Sequence, residues 1–358
     1  MTSTSGTFIG NKCICEGDNS GPRSARSILS NKEIDAAVLE TARGGIVREG
    51  LGYDLADVGV ITNITEDHLG IDGVETLEDL IYVKSLVVEA IKKDGVAVLN
   101  GEDPLTENIL KRVKSKIILF YKNEEAAVRY QSLDCTRVFV ENGFVCIKNG
   151  DIKMNVVKIK DIPITFGGQI ECNVENVLTA VSALYALRVP IDTIKTGLES
   201  FMDNDGRFNL FELNGIWIML DYGHNPAGYE QVIRTCRKLK HHELIGVIAM
   251  PGDRMNSAIQ SVGKQCAHAF DRIYIKEDED LRGRSDGEVA KLLYNSIIEN
   301  DFPQDKLQVI DSELTALSQA ISNAKQGDLI VEQYEKFEPL QKYLEDKGAR
   351  NVVSVSTT

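Results

Sequence analysis

Short apolar runs closed by polar clusters recur along this chain and alternate with stretches of helical spacing. Residues 34–40 (Ile-Asp-Ala-Ala-Val-Leu-Glu) read as one such strand, ending in a carboxylate. Residues 57–63 (Asp-Val-Gly-Val-Ile-Thr-Asn) read as the next. Leu77, Leu80, Ile81, Val87, Val88 and Ile91 share one helical stripe over 76–93, with Lys84 on it, and Asp94-Gly95 stops the helix. Val96–Asn100 is a further strand, residues 105–115 read as a helix, and Lys116–Phe120 as a strand. This alternation predicts a parallel sheet with crossover helices.

From about 126 to 165 the period changes. Arg137–Val140, Phe144–Ile147 and Met154–Val157 are short strands, and Asn-Gly turns at 142–143 and 149–150 join them. That is the signature of an antiparallel β insertion. A long helix covers 173–187, and a second strand–helix cycle begins near 207. Ile216–Asp221 is a strand with a polar end, a helix follows Pro226, and strands near 244–250, 271–275, 307–310 and 328–332 alternate with helices. The turn Asp203-Asn204-Asp205-Gly206 is the expected boundary, giving domains 1–205 and 206–358, both α/β.

Composition narrows the function classes. With 358 residues, 43% hydrophobic and 26% charged, the chain has material for two sizeable cores. No apolar run approaches the roughly 18 to 20 residues of a membrane span, and the amino terminus carries no basic and apolar secretory pattern. A net charge of −14 argues against nucleic acid as the partner. The seven cysteines are odd in number and scattered, as in a reducing cytoplasm.

Candidate chemistry sits at the strand ends, where open α/β sheets place ligands. Glu40-Thr41-Ala42-Arg43-Gly44-Gly45 is one cluster, and Thr62 to His68 is another. Glu40 and a neutral His68 at adjacent strand ends could share a hard cation such as Mg²⁺. Simpler readings exist: Thr65 as a helix cap with His68 on the surface, Glu40 as a cap or salt-bridge carboxylate, and Lys84 as a snorkelling lysine.

Taken together, the clusters resemble the Mur ligase superfamily, which forms amide bonds from a carboxylate, ATP and an amine. The matching stretches are "AAVLETARGGI" at 36–46, "DVGVITNITEDHLG" at 57–70, "VLNGEDP" at 98–104, "MLDYGHNPAG" at 219–228, "PGDR" at 251–254 and "IKEDEDLRGRSDGE" at 275–288. They span nearly the whole chain, and those at 36–46 and 275–288 resemble the cyanophycin synthetase branch, in its Mur-ligase-like carboxyl-terminal half. The resemblance implies a central domain whose mostly parallel sheet is incomplete and carries an antiparallel β insertion, followed by a Rossmann-like α/β domain.

It also implies roles. Glu40 and His68 would hold Mg²⁺ at the ATP phosphates, and Lys84 would be the helix lysine that the superfamily commonly carbamylates. Asn173 and Asn176 would lie near the adenine, although Cys172 stands where a histidine is usual. Arg207 would reach the terminal phosphate. Asp221, His224 and Asn225 would meet the ribose, and the loop with Asp278 and Arg282 would select an arginine-like amine to be joined to an aspartate-containing polymer.

One departure stands out. The superfamily's phosphate loop has the form G-x-x-x-x-G-K-[ST], and no such stretch occurs in these 358 residues. Gly263-Lys264 is followed by Gln265 and lies in a helical pattern. The expectation is therefore a truncated ligase half, impaired alone, with a partner chain supplying the missing segment or assembly as a homo-oligomer, or else a non-catalytic binding module.

Overall fold

The computed structural model describes residues 1–65, 70–122, 128–202 and 204–352. The chain divides into two compact units, 1–159 with 174–198, and 160–173 with 199–358.

The first unit opens with a small antiparallel sheet of β1 (Thr2–Ser3), β2 (Gly6–Ile9) and β3 (Lys12–Glu16), followed by α1 (Pro22–Leu29) and α2 (Arg43–Glu49). The two helices meet closely: a Cβ on Gly45 would lie 2.9 Å from Pro22 Cδ. The main sheet follows, with β4 (Ala56–Ile61), α3 (Leu77–Glu89), β5 (Ile91–Asn100), α4 (Thr106–Leu110), β6 (Lys116–Tyr121), β7 (Thr136–Glu141), β8 (Phe144–Asn149) and β9 (Ile152–Lys158). Its order is β4-β5-β6-β7-β8-β9. The pairs up to β6–β7 are parallel, and β7–β8 and β8–β9 are antiparallel. The β insertion thus continues the parallel sheet instead of standing apart from it. Residues 96–100 of β5 are buried without a break, as a strand with neighbours on both sides requires. Thr76 and Asp79 form a capping box that starts α3, whose Leu80, Ile81 and Val88 pack with Leu99, Leu119 and Phe139. The long α5 (Glu171–Ala186) and α6 (Ile191–Ser200) complete this part of the chain.

Two expectations change. Residues 34–40 do not form a strand; only Leu39 bridges to Thr2, and Val38 is 70% exposed. A run paired at a single residue has no ladder to hold it extended and no face to bury. The helix expected over 105–115 ends at Leu110, where turns carry the chain into β6.

The second unit contains β10 (Asn209–Leu213), β11 (Ile216–Asp221), α7 (Pro226–Cys236), β12 (Leu244–Ile248), α8 (Asn256–Ala269), β13 (Arg272–Ile275), α9 (Glu288–Glu299), β14 (Leu307–Val309), α10 (Glu313–Asn323), β15 (Leu329–Gln333), α11 (Phe337–Asp346) and β16 (Arg350–Val352). The sheet order is β14-β13-β12-β15-β11-β10-β16, parallel from β14 through β11 and antiparallel at β10 and β16. Alternate residues of β15 separate the layers: Leu329 and Val331 pack with residues of α7, α8 and α9, and Ile330 packs with residues of α10 and α11. This is a doubly wound, Rossmann-like sheet. The carboxyl ends of β11, β12, β13 and β15 therefore share one edge, where such sheets bind ligands.

Candidate functional site

At that edge β11 ends in Asp221, a carboxylate only 3% exposed. It accepts the backbone N–H of Phe208 at 3.1 Å. Burial pushes its pKa up to about 6, and the nearby Arg207 guanidinium and that N–H hold the rise in check. Arg207 donates to the Tyr222 carbonyl at 3.1 Å and lies over the Tyr222 ring, 5.3 Å from its centre. A guanidinium carries five donors in a fixed fork, so this arrangement can still meet phosphate oxygens. His224 Nδ1 lies 3.0 Å from the Tyr222 carbonyl. Asn225 caps α7, its Oδ1 accepting Gly228 N–H at 2.8 Å, with Pro226 in the first turn. The structure thus brings Arg207, Asp221, His224 and Asn225 together around one strand end.

Neighbouring loops converge on the same edge. After β12, Asp253 accepts both contacts from Arg282 Nη1 at 3.3 Å, and Arg254 Nε reaches the His224 carbonyl at 3.2 Å. After β13, Arg284 donates to the Gly252 and Arg254 carbonyls, each at 2.6 Å. The approach is close enough that a Cβ on Gly252 would lie 2.1 Å from the Leu281 carbonyl oxygen. At the end of β15, Gln333 accepts Gly223 N–H at 2.7 Å, and just after it the Tyr334 hydroxyl donates to the Gly206 carbonyl at 2.8 Å.

Beneath these loops lies a charge cluster of which the motif reading named only Asp278. Lys276 is fully buried, 2.7 Å from Glu313 and 3.2 Å from Asp278. Burial opposes its charge, but Glu332, Glu313 and Asp278 outweigh burial and hold its pKa above the usual lysine value. Burial drives the Glu332 carboxyl far above the ordinary range, against the pull of Lys276. Neither Glu332 oxygen has a hydrogen-bond partner among the described residues. Burial likewise raises Asp278, with Lys276 opposing. The available signal was a carboxylate, Glu332, closing the apolar run of β15.

In the first unit Glu40 accepts Thr4 N–H at 3.0 Å. His68 lies outside the described residues, as does Asp67, so the expected Glu40–His68 pair has no described geometry. Among the described residues no group of three or more His, Cys, Asp or Glu is placed to hold a metal. Lys84 is half-buried on α3. Asp103 was also passed over: its buried carboxylate accepts Ile64 N–H at 2.9 Å, tying the end of β5 to the turn after β4. Asn173 is buried and donates to the Ile164 carbonyl at 2.8 Å, whereas Asn176 is exposed. A hollow lined by Ile164, Phe166, Asn173, Arg207 and Phe208 encloses about 10 Å³. That is room for about one water, not for a nucleotide base.

The doubly wound sheet, with an arginine and a buried carboxylate at its edge, places this part of the chain in the Rossmann-like α/β class. The chain belongs to the Mur ligase family: the Mur ligase middle domain matches residues 1–184, and the Mur ligase glutamate ligase domain matches 206–332. It is similar to the cyanophycin synthetase of Crocosphaera subtropica, 37% identical over 92% of this chain and 38% of that protein. The chain therefore spans well under half the length of that relative. It is also 26% identical to the UDP-N-acetylmuramoyl-L-alanyl-D-glutamate–2,6-diaminopimelate ligase of Bacillus velezensis, over 85% of this chain and 59% of that one. Among solved structures, MurF from Acinetobacter baumannii shares the fold, with a TM-score of 0.64 and 22% identity over 88% of this chain and 66% of that one. E. coli FolC in complex with ADP matches with a TM-score of 0.59 and 19% identity, over 82% and 63%.

Proposed function

We propose that the chain is the Mur-ligase half of an ATP-dependent carboxylate–amine ligase of the cyanophycin synthetase kind, joining arginine to the side-chain carboxylate of an aspartate-containing polymer through an acyl phosphate. The observation that carries this reading is the convergence of Arg207, Asp221 and the loop with Asp278 and Arg282 on one sheet edge. In the reaction the γ-phosphoryl group passes to the acceptor carboxylate, and the amine then displaces phosphate. Arg207 would face the charge on the phosphoryl oxygens. Asp221, His224 and Asn225 would meet the ribose, with Asn173 and Asn176 nearer the base. Bound Mg²⁺ would neutralise phosphate charge, with Glu40 and His68 as its protein ligands and Lys84 nearby. The acidic loop suits a cationic amine. Four of the seven thiols are buried and no disulfide joins any of them, which suits a cytoplasmic setting. No helix among the described residues is long and apolar enough to cross a membrane.

A second reading, a non-catalytic binding module, is favoured by one fact: the 358 residues contain no G-x-x-x-x-G-K-[ST]. Such a loop supplies charge-assisted donors worth roughly 1.5 to 3 kcal/mol each. Three of them correspond to about 4 to 9 kcal/mol, on the order of 10³ to 10⁶ in affinity or rate. The chain alone is therefore expected to turn over slowly and to need the loop from a partner chain. The test is phosphate release and arginine incorporation with Mg-ATP, arginine and an aspartate-containing acceptor, with and without a loop-bearing segment in trans. Release that needs arginine and is lost in Arg207→Ala supports the ligase. No arginine-dependent release under either condition leaves the binding module.

A further inference from the structure

The segment after β13 places Glu277, Asp278, Glu279 and Asp280 in succession, and four neighbouring carboxylates repel one another. Something outside the segment must hold its shape. The Glu335 carboxylate, from the loop after β15, accepts two consecutive backbone N–H groups of this segment, Glu279 at 2.7 Å and Asp280 at 3.2 Å. Glu335 is fixed in turn, since its own N–H donates to Glu313 at 2.6 Å. Glu313 is anchored by the buried Lys276 ammonium at 2.7 Å. A carboxylate drawn into an acidic loop is costly, and the two backbone donors offset the repulsion that Glu335 exerts on Asp278. The side chains of Glu279 and Asp280 are left pointing outward, 78% and 72% exposed.

We propose that Glu335, backed by Glu313 and Lys276, is a positioning residue that holds the loop after β13 in the shape that receives the cationic amine. This rests on the amide-ligase reading. Holding the backbone from behind adds to the contacts the loop carboxylates make themselves: Glu279 pairs with Lys336, Asp280 accepts Arg282 N–H at 3.1 Å, Asp278 pairs with Lys276 at 3.2 Å, and Glu277 accepts Ala290 N–H at 3.1 Å. On the other flank Arg284 clamps the same loop to the Gly252 and Arg254 carbonyls, so release of Glu335 frees one side only.

The test compares Glu335→Ala and Glu335→Gln with the unchanged chain. Three quantities are read: arginine affinity by calorimetry, ADP affinity, and hydrogen exchange at the Glu279 and Asp280 amides. Glu335→Ala is expected to speed exchange at both amides and to weaken arginine on the order of tenfold or more, with ADP affinity changed less than about twofold. Glu335→Gln keeps an acceptor oxygen and should recover most of the arginine affinity. Unchanged exchange in Glu335→Ala overturns the proposal, as does equal weakening of arginine and ADP. If the unchanged chain takes no arginine, the ligase reading falls instead, and exchange at the two amides alone decides whether Glu335 holds the loop.

Discussion

Asp221 carries two demands at once. Its carboxylate terminates β11 among buried neighbours, and it must also hold Phe208 N–H. Because its folded pKa is raised from 3.8 to about 6, the folded state keeps the proton that the unfolded chain has released. Stability from this group is full below about pH 4, falls as pH rises toward 6, and stays low above. Asp221→Asn should flatten that slope and gain on the order of 2 to 3 kcal/mol at pH 8, read from urea unfolding at several pH values. A wild-type stability that is level between pH 4 and 7 would refute the assignment. Lys276 presents the opposite case, a buried cation whose removal leaves Glu313 and Asp278 facing each other unneutralised. Lys276→Met should cost about 3 to 5 kcal/mol, as breaking a buried pair does. A loss below about 1 kcal/mol would mean that the cluster is well hydrated.

At the level of elements, the site borrows helix ends and tight crossings. Asn225 was expected at the ribose, and the structure gives it the capping bond of α7. Asn225→Ala should therefore cost about 1 kcal/mol of stability even without nucleotide. Asn225→Asp, which keeps the acceptor, should cost little, and chemical denaturation separates the two. Gly263, read from the sequence as helical and not as a phosphate-loop glycine, lies in α8 where a Cβ would approach Ser296 Cβ of α9 at 2.7 Å. Gly263→Leu should destabilise by about 1 to 3 kcal/mol through overpacking. A melting temperature within a degree of wild type would show that the two helices can separate there.

For the whole molecule, the two sheets are built by different rules. The first grows from parallel strands into an antiparallel meander, and the second winds helices onto both faces. No described strand of either sheet pairs with the other. Each unit carries its own buried core, and the functional edge of the second is assembled from four loops separated by long stretches of sequence. Substitutions of exposed side chains at that edge should therefore alter ligand binding more than unfolding, whereas those in the strands should do the reverse. Arg207→Ala is expected to change stability by less than about 1 kcal/mol, because its side chain is exposed and makes one backbone bond.

Most strands of both sheets, β10 and β16 excepted, were legible because their apolar runs are short, regular and punctuated by turns, and local spacing alone sets the period of burial. Arg207, Asp221, Asp278 and Arg282 were legible as a group through resemblance, since motif order survives without coordinates. Residues 34–40 misled because their pattern is strand-like while their pairing partner is a single residue, and pairing is a tertiary fact. Glu332 looked like any polar residue ending a strand; only the packing of α10 and α11 over β15 removed it from water and set it near Lys276. Glu335 carried no signal at all, because its partners, Glu279 and Asp280, lie 56 and 55 residues away. Sequence determined which segments bury and which motif residues travel together, since those depend on neighbours along the chain. Tertiary structure decided which charges are desolvated and which loops are tied, since electrostatics and hydrogen bonding act across space.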